Sequence, residues 1–82
     1  MIKMVLFASE LKRKNVVAAD GKMLGKVKGM LVDEVTGEIT HLGVEPFEEI
    51  DARAFVTDEE GTLIFPFEKV QSVKDVVMVL TT

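Results

Sequence analysis

Three glycine-bearing turns, Asp20-Gly21, Thr36-Gly37 and Glu60-Gly61, cut this chain into apolar runs of strand length. Glycine tolerates the positive φ that tight hairpin turns demand, so Asp20-Gly21 between Val16-Val17-Ala18 and the run Met23 to Val32 is a strong hairpin signal. Thr36-Gly37 divides that run from the next, Glu38 to Val44, and Asp58-Glu59-Glu60-Gly61 separates Ala54-Phe55-Val56 from Leu63-Ile64-Phe65. Short strands at such spacing predict an all-β fold: a small closed or partly closed β-barrel of six to seven strands, in which closure removes exposed edges. Two segments depart from the strand pattern. Ser9-Glu10-Leu11 has the chemistry to cap one helical turn, and Phe67 to Val73 follows Pro66 with apolar residues at helical spacing. Both are expected as plugs over the barrel mouths.

At 82 residues, with no linker or solenoid-period repeat, a single domain over residues 1–82 is expected. A chain of this size buries only about 60 to 65% of its unfolded surface, yet 48% of its residues are hydrophobic. That excess predicts apolar surface turned toward a partner. In Met23 to Val32, period-two counting puts Val27 and Leu31 on one face and Met30 and Val32 on the other. The same conflict recurs in Met4-Val5-Leu6-Phe7 and in Val76 to Leu80, where both faces are apolar. A barrel has one interior, so Met30, Val32, and Val77 with Val79 or their neighbours are expected on an outer surface that makes a homodimer or meets another protein. A β-bulge merging the two sets is the alternative. Phe47 and Phe55 complete the candidate interface anchors.

Chemistry has little material. The stretch Val32 to Thr40 gathers Asp33, Glu34 and Glu38 around Thr36-Gly37, but acid–base catalysis by carboxylates needs burial or close like charges. Asp and Thr in a turn are explained by their hydrogen bonds to the backbone, and the alternating ligands of a calcium loop are missing. With one histidine, His41, no cysteine, and only Ser9 and Ser72 as serines, neither a metal centre nor a hydrolase triad can be assembled from the usual residues. No phosphate-loop spacing follows Gly25 and Gly29, which are expected instead to let strands bend sharply. No catalytic residue, cofactor, metal or small-molecule substrate is therefore expected. The apolar stretch near the start, Met4 to Ala8, is too short to span a membrane and precedes its basic cluster, the wrong order for a signal peptide. The lack of cysteine leaves the cytoplasm as the expected compartment.

The net charge of −4 is unevenly spread: residues 1–30 carry seven Lys/Arg against two Asp/Glu, and residues 31–82 three against twelve. Lys12, Arg13 and Lys14, with Lys22, Lys26 and Lys28, form the basic cluster best suited to phosphates. The chain has no Tyr or Trp to stack on bases, so RNA ranks second to protein as a partner.

Taken in order, Ser9-Glu10-Leu11, Val16-Val17, Asp20-Gly21-Lys22-Met23-Leu24-Gly25-Lys26-Val27, Met30-Leu31-Val32-Asp33, Thr36-Gly37-Glu38-Ile39, Leu42, Leu63 to Val70 and Lys74-Asp75-Val76-Val77 resemble the PRC-barrel domain. That family takes its name from the photosynthetic reaction centre, whose H subunit carries the domain. It also forms half of a bacterial ribosome maturation factor, and stand-alone members are typical of archaea, some linked to cell division. The resemblance implies a small β-barrel that binds other proteins, with no catalytic motif to carry over. A ribosome- or RNA-processing-associated factor using Lys12 to Lys14 is the alternative. Lys12-Arg13-Lys14 departs from the pattern, which has an apolar residue and then Gly after Ser-x-Leu, and this leaves open whether the turn keeps its tight geometry.

Overall fold

The computed structural model of the chain describes residues 2–5, 13–74 and 76–81, the first four as backbone. Among the described residues all regular structure is β apart from two 3-10 turns. The strands are β1 (Ile2–Val5), β2 (Asn15–Ala18), β3 (Met23–Asp33), β4 (Ile39–Pro46), β5 (Leu63–Pro66), β6 (Val70–Val73) and β7 (Val76–Val79). They hydrogen-bond in the order β5-β4-β3-β2-β7-β6, with β1 paired to β3 beyond β2. All pairs are antiparallel except β2 with β7. The path does not return from β6 to β5, so the sheet curls into a barrel that is only partly closed.

The turns form as the glycines dictate. Gly21, Gly37 and Gly61 hold φ of 94°, 77° and 84°, a region where a Cβ would crowd the next carbonyl. In the acidic turn, the Asp33 carboxylate accepts from the backbone N–H groups of Val35 and Thr36, at 2.8 and 3.3 Å, and the Gly37 N–H donates to the Asp33 carbonyl. The Thr36 hydroxyl accepts from the Glu38 N–H. These groups close a bend between β3 and β4.

The eleven-residue β3 organises the barrel, flanked by β4 on one side and by β1 and β2 end to end on the other. Its pairing slips three times, the last where Thr40 of β4 is the extra residue between Leu31–His41 and Val32–Ile39. Leu24 is the extra residue against β2, between the pairs Gly25–Val16 and Met23–Val17, and Lys28 is the extra residue against β4, between Val27–Val44 and Gly29–Gly43. Each bulge reverses the alternation of faces beyond it. Leu24, Val27 and Met30, three residues apart, all reach the core as a result.

This overturns part of the expected outer surface. Met30 is buried beside Leu42 and Val44, and the bulge alternative is the one realised; Leu31 and Val32 are half-buried. In β7 the alternation is undisturbed, with Val77 and Val79 inside and fully buried, Val76 exposed, and Met78 between. The neighbours of Val77 and Val79, rather than those two, face outward. Leu24, Leu42, Leu63, Val16, Val44, Val77 and Val79 make up the most deeply buried part of the core.

The segment after Pro66 is a 3-10 turn only over Phe67–Lys69 and then runs into β6, a strand bulged at Gln71, with Phe67 and Val70 against the core and Val73 exposed. Ala54-Phe55-Val56 is not a strand: Ala52–Ala54 is a 3-10 turn capped by Asp51, and only Thr57 bridges to Leu63. The capping role expected of Ser9-Glu10-Leu11 and the strand residues Leu6 and Phe7 lie outside the described residues. Among the described residues no helix is long and apolar enough to cross a membrane.

Candidate binding groove

Where the β3–β4 ladder ends, at Gly25 opposite Pro46, the two backbones approach very closely. A Cβ on Gly25 would lie 2.0 Å from the Glu45 carbonyl oxygen, so glycine is required here by the close approach of the neighbouring backbone. The Phe47 N–H then donates to the Leu24 carbonyl at 3.0 Å, and the Ile50 N–H donates to the Phe47 carbonyl. This folds residues 47–50 back over the core as a shoulder, with Phe47 half-buried against it. Between the shoulder and the start of β2 lies a groove of about 580 Å³, lined by Arg13, Lys26, Val27, Lys28, Glu45, Pro46, Phe47 and Glu48.

Three of the predicted basic residues meet there. Asn15 pairs with Lys26, and the Arg13–Lys14 segment extends that pairing: the Arg13 N–H donates to the Val27 carbonyl at 3.1 Å and the Val27 N–H to the Lys14 carbonyl at 2.9 Å. Arg13 and Lys26 are exposed. Lys28, the extra residue of its bulge, donates to the buried Thr62 hydroxyl at 3.0 Å, and it lies 3.5 Å from a Glu60 carboxylate oxygen. Lys14 does not join the groove lining; its ammonium donates to the Lys74 carbonyl. Lys12 lies outside the described residues.

The expected interface anchors are not gathered on one face. Phe47 lines this groove. Phe55 packs edge-on against Phe65, ring centroids 5.9 Å apart, and lines a separate hollow of about 190 Å³ with Val56, Ile64 and Leu80. Residue types did not reveal Glu45, Pro46 and Glu48 as groove residues, because their position depends on the β3–β4 register. The one available signal was Pro46, which cannot continue a central ladder.

The carboxylates with displaced acidity are structural. Asp58 is held below the ordinary carboxylate range chiefly by the N–H of Thr62, with further help from the N–H of Glu60 and the charge of Lys28. Asp51 is lowered by Arg53, whose guanidinium and N–H both donate to it. A general acid at neutral pH needs the opposite displacement. The imidazole of His41 is half-buried, its Nδ1 2.9 Å from the Thr40 hydroxyl, which itself donates to the Leu31 carbonyl.

With this architecture in place, comparison with known families gives a match to the PRC-barrel domain over residues 4–82. This chain belongs to the PRC-barrel domain family. An archaeal protein described as uncharacterised, from Methanocaldococcus jannaschii, is 31% identical to it over 72 residues, covering 88% of this chain and 78% of that protein. Arg13, at the start of the described second segment of this PRC barrel, holds φ of 70°.

Proposed function

We propose that this PRC barrel is a non-enzymatic adaptor, acting in the cytoplasm, whose role is to bind another protein through the groove between Arg13 and Phe47. The observation that supports this reading is the groove's composition: exposed cations stand beside an apolar wall made by Pro46 and half-buried Phe47. Protein interfaces draw affinity from a few well-packed apolar or aromatic anchors, while surrounding charges set orientation and encounter rate. Self-association belongs to the same reading in a narrower form. With Met30, Val77 and Val79 in the core, a second copy would have to meet Val32, or the exposed Val73 and Val76 beside β6 at the end of the sheet.

The convergence of Arg13, Lys26 and Lys28 also supports a second reading, an RNA- or ribosome-associated factor. Affinity capture from the native host separates the two. A Lys26→Glu/Phe47→Ala variant is expected to lose proteins that the wild type and a Val35→Lys control both retain. If the double variant retrieves the same proteins, the groove is not the site. If ribosomal RNA fragments bind instead, with an affinity that falls steeply with salt and depends on Arg13 and Lys26, the RNA reading takes its place.

A further inference from the structure

Among the described residues Arg13 is the one non-glycine with positive φ. In that region Cβ crowds the following carbonyl, and backbone strain retained at a surface groove is a pointer to use rather than to packing. The strain is locked in, because hydrogen bonds to both backbone groups of Val27 fix the chain on either side of the Arg13–Lys14 peptide. The guanidinium this positions has no carboxylate or hydrogen-bond partner among the described residues, and neither does the Lys26 ammonium. Lys28, by contrast, is already engaged by Thr62 and Glu60.

The groove thus offers two cations unengaged among the described residues and, beside them, the Pro46–Phe47 wall. A guanidinium presents a planar fork that matches a carboxylate in a bidentate fashion. A polyphosphate chain fits less well, since Glu45 and Glu48 share the lining and the whole molecule carries −4.

We propose that the groove recognises an acidic segment of its protein partner, Arg13 receiving a side-chain carboxylate and the Pro46–Phe47 wall receiving a neighbouring apolar side chain. This rests on the protein-binding reading above and names the chemistry of the partner. Arg13 is then a specificity residue that the fold carries at a cost in stability.

The test is an NMR titration of the isotopically labelled protein with a synthetic amidated peptide alternating Glu with Leu and Phe, alongside a Lys-for-Glu control peptide. The acidic peptide is expected to shift the amides of Arg13, Lys26, Val27, Phe47 and Glu48, and the control to leave them unmoved. Arg13→Gly is expected to raise the melting temperature while weakening the acidic peptide about tenfold, the loss of one charge-assisted pair. Arg13→Lys should fall between the two in affinity. A purely structural Arg13 would change the melting temperature and leave the affinity where it was, which overturns the proposal. So does a peptide that shifts amides elsewhere, or a single-stranded RNA oligonucleotide that takes the same amides more tightly. The first two outcomes leave the protein-binding reading standing, because that reading fails when the capture experiment shows the groove to be dispensable or when ribosomal RNA takes it instead.

Discussion

Gly25 and Gly21 illustrate two different reasons for a glycine. Gly25 is required by contact, since an added Cβ would lie 2.0 Å from the backbone oxygen of Glu45, which no side-chain rotation relieves. Gly21 has open space around it and is required by its φ of 94°. Gly25→Ala is therefore expected to cost about 3 kcal/mol, the upper end of overpacking effects, and Gly21→Ala about 1–2 kcal/mol, the cost of the left-handed backbone alone. Urea unfolding of both variants checks the order. Equal costs, or a milder Gly25→Ala, would contradict the close approach at the groove floor. At this scale the sequence was legible where a residue type has one physical use, as with the turn glycines. It was not legible at Met30, because a one-residue bulge at Lys28 reverses the face of everything beyond it without altering composition or spacing.

Among the elements, the turn from Asp58 to Thr62 ties the end of the irregular segment to β3. The Asp58 carboxylate accepts from the N–H groups of Glu60 and Thr62, both at 2.9 Å, and the Thr62 hydroxyl accepts from Lys28. Since the bonds to Asp58 lower its pKa in the folded chain, their contribution to stability is present above the ordinary aspartate value of about 3.9 and is lost as pH falls through the lowered value. Asp58→Asn should therefore destabilise the protein most near neutral pH, with the difference from wild type shrinking as pH drops through the aspartate range. Urea midpoints over a pH series measure this. A difference that stays constant with pH would mean that the charge of Asp58 has no part in holding the turn. Strands and hairpin turns were readable from their Gly, Asp and Thr signals, whereas the segments 52–57 and 67–73 were not. Ala54-Phe55-Val56 has strand chemistry but is held in place by the Asp51 cap and the Phe55–Phe65 contact. The three-residue spacing of Phe67, Val70 and Val73 fits a helix and a bulged strand equally well.

For the whole molecule, the groove joins three stretches: the entry to β2, the first half of β3, and the shoulder after β4. Part of it was legible, since the Asp20-Gly21 hairpin brings Arg13 near Lys26 and Lys28. The acidic and apolar half was not, because which β4 residues face the cations is fixed by a register that only the folded sheet defines. The excess of apolar residues, expected to signal a covered outer surface, is taken up in part by bulges that turn Leu24, Val27 and Met30 inward together. The account therefore rests on the groove rather than on an apolar outer face, and the most direct measurement is site-specific photo-crosslinking in the native host. A benzophenone side chain would replace Phe47 at the groove wall or Val35, 84% exposed on the acidic turn. The account predicts a discrete protein adduct from position 47 and none from position 35. Adducts from position 35 alone, or only RNA adducts from position 47, would contradict it.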